Sequence, residues 1–162
     1  MQPERLLIAV DPGKEGGVAF GWPPQIEKLA TEPGDILDQL RAIPRNGQEV
    51  TVWLELVTGF VGKPQPGSAM FKFGRSVGMV ETAITALNYS LVRVTPQSWQ
   101  AGIKMRRQTN EKKDHYKRRL RAKACELMPA LRPEITLQTC DAALMLFVAY
   151  DRNKPPSLEA VA

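Results

Sequence analysis

The feature that most restricts what this chain can fold into is the run Leu6-Leu7-Ile8-Ala9-Val10-Asp11-Pro12-Gly13. Five apolar residues are too few for a helix and read as a strand buried in a sheet. That strand ends on a carboxylate where it opens to solvent. Pro12-Gly13 supplies a reversal, and Gly16-Gly17 let the return strand begin beside the acid. A carboxylate this close to a sheet core is costly unless a cation or hydrogen-bond donors meet it. Asp also serves turns by capping its own backbone, so the remainder of the chain has to separate the two roles.

The return strand runs from Gly17 to Trp22, and Gln25 to Ala30 completes an antiparallel meander. Pro33-Gly34-Asp35 opens a helix carrying Ile36, Leu37, Leu40 and Ile43 at helical spacing. Val50 to Val57 is β-branched, aromatic and nearly all apolar, as a central strand buried on both faces should be. Its one charge is Glu55, again near a strand end. Thr58 to Ser68, with three Gly and two Pro, is a loop bearing Phe60 and Lys63. A helix follows from Ala69 to Leu87, with Gly74 and Gly78 offering close packing against a neighbour. Leu91 to Val94 is a short strand that Thr95-Pro96 ends. The spacing predicts a helix over Glu111–Met128 with Tyr116, Leu120, Ala124 and Leu127 inward, and Lys113, Lys117, Arg118 and Arg121 outward. A final helix spans Thr139–Tyr150 with Asp141 as its early acid, a position the helix dipole also favours. Residues 153–162 read as a frayed tail after a single domain over 1–152.

Charge is distributed unevenly. Lys104 to Lys123 holds ten Lys or Arg and only Glu111 and Asp114 as acids, while the rest of the chain is slightly acidic. Such one-sided charge on one helix fits a polyanion partner. Two cysteines without ligand spacing and a lone histidine speak against a zinc centre or a His-based triad. Reduced thiols, and the lack of a signal or membrane-spanning run, point to the cytoplasm.

Asp11, Glu55 and Asp141 are thus single acids in three apolar elements. They converge if the two strands are neighbours and the last helix crosses their ends. Clustered carboxylates resist ionisation without a counter-charge, and a hard divalent cation resolves this. Two ions about 4 Å apart hold a scissile phosphate and activate water.

The order Ile8-Ala9-Val10-Asp11-Pro12-Gly13, Trp53-Leu54-Glu55 and Asp141-Ala142-Ala143-Leu144 resembles the RuvC family of Holliday-junction resolvases, within the RNase H-like superfamily. Ser68-Ala69-Met70 and Phe73-Gly74-Arg75-Ser76-Val77-Gly78 resemble that family's first long helix. Thr95-Pro96-Gln97-Ser98-Trp99, followed by Lys112-Lys113, is similar to phage-encoded members. The resemblance covers residues 6 to 151. It implies an α/β RNase H-like fold, a mixed sheet of about five strands flanked by helices. It further implies Mg2+ or Mn2+, two ions on Asp11, Glu55 and Asp141, with Lys112 or Lys113 near the scissile phosphate. Phe60 stands where members have an aromatic that wedges into the junction. Phe60, Lys63, Arg75, Lys104, Arg106, Arg107, Lys113, Lys117, Arg118 and Arg121 are candidate DNA contacts. The implied activity is paired nicking of branched DNA by a homodimer, with the Ala69–Leu87 helix as candidate interface, in a bacterial cell or a phage's host. Many cellular members carry a further acid three residues before the last one, and here that position is Gln138. An RNase H-like nuclease acting on RNA or an RNA–DNA hybrid, and a non-catalytic junction binder, remain open. A sugar-kinase or actin-like ATPase would need two such domains.

Overall fold

The computed structural model describes residues 5–56 and 67–153. Its centre is a five-stranded mixed sheet in the order β3-β2-β1-β4-β5. The strands are β1 (Arg5–Asp11), β2 (Gly17–Phe20), β3 (Gln25–Lys28), β4 (Glu49–Glu55) and β5 (Ser90–Val94). The first three form the expected antiparallel meander, while β1, β4 and β5 run parallel. The helices are α1 (Pro33–Ala42), α2 (Gly67–Ala86), α3 (Pro96–Gly102), α4 (Lys113–Leu127) and α5 (Cys140–Arg152), with a 3-10 turn at Pro129–Leu131. Mixed sheet and flanking helices both match the expectation from sequence.

Period-two alternation sorts the sheet into two cores. Leu6, Ile8 and Val10 of β1 join Val50, Val52 and Leu54 of β4 against α1 and α2. Leu7, Ala9 and Trp53 face the other way, onto a core built with α3, α4 and α5. The second core is dominated by α5, whose Ala142, Ala143, Leu144, Met145 and Leu146 are all fully buried. Its alanines let the helix lie close to β1 and β2. The same alternation puts Asp11 and Glu55 on the α5 side. Because β1 and β4 pair in parallel with Val10 opposite Leu54, one step further brings Asp11 beside Glu55.

The turn after Asp11 is tightly built. Gly16 N–H bonds the Gly13 carbonyl at 3.0 Å, Gly13 N–H bonds Ser76 Oγ of α2 at 2.9 Å, and Gly13 adopts φ +121°. A Cβ on Gly16 would lie 2.2 Å from the Asp11 carbonyl oxygen. Backbone cannot yield there, so Gly16→Ala is expected to destabilise the fold by about 1–3 kcal/mol. In a thermal melt that is a loss of ~2–4 °C per kcal/mol; an unchanged Tm would contradict the close approach.

One expectation fails. Gly74 and Gly78 pack against nothing among the described residues: a Cβ on either meets no atom within 4 Å. The reason is that only the C-terminal half of α2 lies on the sheet, through Val80, Ala83 and Ile84, while Phe71 further forward is 73% exposed. Thr95-Pro96 ends β5 as expected, and it also opens a helix that the sequence reading does not place. Thr95 Oγ1 accepts from Ser98 N–H and starts α3, which buries Trp99 completely.

Candidate active site

Three elements bring the acids together. Asp11 ends β1, Glu55 ends β4, and Asp141 lies in the first turn of α5, which crosses the sheet at that end. Burial is the main reason the Asp11 carboxyl is held well above the ordinary carboxylate value; the neighbouring charges of Glu55 and Asp141 push the same way, and Lys117 opposes them. Burial likewise raises Glu55, against the stabilising hydrogen bond it accepts from Trp99. The pair therefore behaves as crowded carboxylates short of positive charge.

Glu55 and Asp141 each have a dedicated partner. Trp99 Nε1–H donates to Glu55 Oε1 at 2.9 Å in a fully buried contact. This bond fixes one Glu55 oxygen and orients the other. Lys117 Nζ donates to Asp141 Oδ2 at 2.5 Å, with both side chains largely buried. The Cys140 thiol donates to Asp141 Oδ1 at 3.4 Å, and burial raises that thiol far above its usual range. Burial also works against the Lys117 charge, but Asp141 with its neighbours outweighs it and keeps the ammonium protonated more firmly than usual.

The other site residues expected from sequence are placed as follows. Lys112 caps α4 without a side-chain capping bond, Lys113 is its first residue, and both are exposed. Neither side chain has a partner among the described residues; Lys117, one turn on, makes the contact with the acids. Lys117 thus departs from the outward face expected of it, because α4 leans this edge onto the first turn of α5. Arg75, Lys104, Arg106, Arg118 and Arg121 are exposed. Arg107 instead folds the loop before α4, donating to the Glu111 carbonyl from Nε at 3.0 Å and Nη2 at 2.7 Å. Phe60 and Lys63 lie outside the described residues. Gln138 Nε2 donates to the Gly16 carbonyl at 3.3 Å, so this amide braces the turn behind Asp11.

Glu111, just before α4, relieves part of the like-charge crowding on that helix. Glu111 accepts from the Gln108 backbone N–H at 3.0 Å, from Arg119 at 2.9 Å and from His115 at 2.8 Å. The backbone bond is the largest cause of its carboxyl falling to about 2. A depressed carboxyl contributes stability that is present above the ordinary value near 4.5 and is lost as pH falls toward 2. Glu111→Gln should therefore melt lower than wild type at pH 7, and the gap should close as the pH is taken from about 4.5 to about 2. A gap that persists unchanged at the acid end would contradict this anchor.

Oxygen donors of this kind suit Mg2+ or Mn2+. Among the described residues no three His, Cys, Asp or Glu side chains already form a metal cage, because Asp141 is turned to Lys117. Asp11 and Glu55, adjacent and undercharged, fit one edge of such an ion, and Asp141 could join them once released by Lys117.

No family model matches the chain, and no curated protein matches it in sequence. Solved structures do. RuvC from Thermus thermophilus in complex with a Holliday junction substrate aligns with a TM-score of 0.59 at 13% identity, over 91% of this chain and 95% of that one. A second Thermus thermophilus RuvC structure aligns with a TM-score of 0.54 at 14% identity, over 91% and 96%. The fold is RuvC-like. Nearly the whole of each chain takes part in the alignment. Among the described residues no helix is long and apolar enough to cross a membrane.

Proposed function

We propose that this chain is a metal-dependent endonuclease that cleaves branched DNA, resolving four-way junctions by paired nicks. The observation that carries the reading is the meeting of Asp11 and Glu55 on adjacent strand ends, with Asp141 and the half-buried ammonium of Lys117 beside them. Support also comes from the likeness to RuvC solved with a Holliday junction substrate, and from the exposed cations of α4 and the loop before it.

Bound Mg2+ or Mn2+, two ions in this reading, would supply Lewis-acid stabilisation of the phosphate and an activated water. Asp11, Glu55 and Asp141 would hold them. Trp99 keeps Glu55 in one orientation, so little reorganisation is needed when charge develops. Lys117 balances the carboxylates before substrate arrives and lies within reach of the negative charge that grows on a phosphate there. The phosphodiester is hydrolysed directly by water, with no covalent enzyme intermediate. Exposed Lys and Arg side chains grip the backbone without reading bases, so affinity falls steeply with salt. Paired nicks need two sites, hence a homodimer. The forward half of α2, with Phe71 exposed, is the surface proposed to meet the second copy.

Single-turnover assays on a synthetic four-way junction, the matching linear duplex and an RNA–DNA hybrid test this reading. Nicks confined to opposing strands of the junction are expected. Cleavage of the hybrid alone would keep the acids and replace the substrate, and tight junction binding without product in either metal would leave a binding protein.

A further inference from the structure

An arginine-lined groove of about 340 Å³ lies between α4 and the 3-10 turn, bounded by Arg118, Arg121, Cys125, Glu126 and Arg132. It is separate from the three acids but continues along the same helix edge. Arg121 is one turn past Lys117, and Cys125 one turn further. At 1.5 Å rise per residue the groove begins at Arg118, about 1.5 Å beyond Lys117 along the axis, and reaches about 14 Å at Glu126.

The charge in this groove is not neutralised by the fold. Arg121 is oriented by its Nε–H, which donates to the Ile135 carbonyl at 2.9 Å, leaving the other guanidinium donors free of that bond. The side chains of Arg118 and Arg132 have no ion pair or hydrogen bond among the described residues. The one carboxylate lining the groove, Glu126, is engaged by Lys123 at 2.7 Å. Three guanidiniums converging on a concave surface suit an anion with several oxygens, since each presents a planar fork of donors.

We propose that this groove is a phosphate-holding subsite that grips one strand of the DNA within about four nucleotides of the bond to be cut. The assignment rests on the nuclease reading above. Successive phosphates of one strand advance about 3.4 Å along the duplex axis, so a strand whose scissile phosphate lies by Lys117 and which follows α4 passes over the groove. Arg132, outside the basic run that the sequence brings forward, is its far wall.

Cys125 supplies an internal reporter. It is half-exposed in the groove, whereas Cys140, the second of the chain's two cysteines, is fully buried. N-ethylmaleimide alkylation of Cys125, followed by peptide mass with Cys140 as reference, would be measured in EDTA with four-way junction DNA. Gel shift on the same samples reports binding. With DNA about tenfold above its Kd, mass action predicts alkylation slowed roughly tenfold. Arg132→Gln should reduce the log–log salt slope of junction binding by about 0.9, the loss of one phosphate contact, while Lys28→Gln on β3, the same charge change elsewhere, leaves it unaltered. Bound DNA with no protection of Cys125, or equal slopes for Arg132→Gln and Lys28→Gln, would overturn the groove and leave the nuclease reading standing. Protection by millimolar inorganic phosphate as full as that by DNA would assign a free-anion site instead and overturn the strand path. Failure of wild type to bind junction DNA at all would overturn both readings.

Discussion

Asp11→Asn is expected to abolish junction cleavage while leaving junction binding in place and raising the melting temperature of the metal-free protein. The three effects share one cause. Asp11 is the most crowded of the carboxylates, raised first by burial and then by Glu55 and Asp141. An amide of the same shape removes the charge that an ion would hold and that burial penalises. Metal stabilisation of a developing phosphate charge is worth several kcal/mol, so the loss in rate is roughly 10³-fold or more. The stability effect has a sign that pH tests. A raised carboxyl means that the fold binds more protons than the unfolded chain. Its stability is fully present below the ordinary value near 3.8 and is lost as pH rises through the raised one. The advantage of Asp11→Asn should therefore grow from acid to neutral pH, at ~2–4 °C per kcal/mol. Added Mg2+ should raise the Tm of wild type and not of the variant. Thermal melts across pH with and without Mg2+ check this; a variant less stable than wild type at pH 7 without metal would contradict it.

Trp99→Phe is expected to weaken metal binding by about 10–100-fold, the usual cost of losing a group that orients a metal ligand. The indole N–H donates to Glu55 Oε1 at 2.9 Å. Without it one buried oxygen loses its donor, at about 1–3 kcal/mol, and Glu55 can turn away from Asp11. The ring is also part of the core, so a cavity contributes to lost stability. Trp53→Phe separates the two causes: Trp53 lies two residues before Glu55 on the same sheet face and packs in the same core. Both variants should melt lower, but only Trp99→Phe should shift the Mn2+ concentration giving half-maximal cleavage and the Mn2+ titration followed by calorimetry. Equal metal affinity in the two variants would remove Trp99 from the site.

What the sequence reveals of this site follows from periodicity. Asp11 and Glu55 stand out because each breaks an otherwise apolar strand near its end, and a period of two fixes which face each acid shares. The parallel pairing that makes them neighbours is not in the pattern; it comes from the β1–β4 register. Asp141 is legible as an early acid in a wholly apolar helix. Trp99 is hidden because α3 has only seven residues, too few to show helical spacing, and its partner is 44 positions away. A Thr-Pro pair opening onto Ser and Trp is the one signal of a capped helix start. Lys117 looks like its basic neighbours in sequence. Its difference is a matter of which edge of α4 meets α5, and that is set by tertiary packing. Gly74 and Gly78 carry the opposite lesson: small residues four apart permit close packing, but nothing in their spacing says that a partner is present.

Crystals of the protein soaked in Mn2+ test directly, by anomalous scattering, whether these carboxylates form a metal site. Anomalous density is expected between Asp11, Glu55 and Asp141, with Lys117 Nζ withdrawn from Asp141 and Trp99 still on Glu55. Saturating Mn2+ with no density there, and Lys117 still bonded to Asp141, would contradict the metal site.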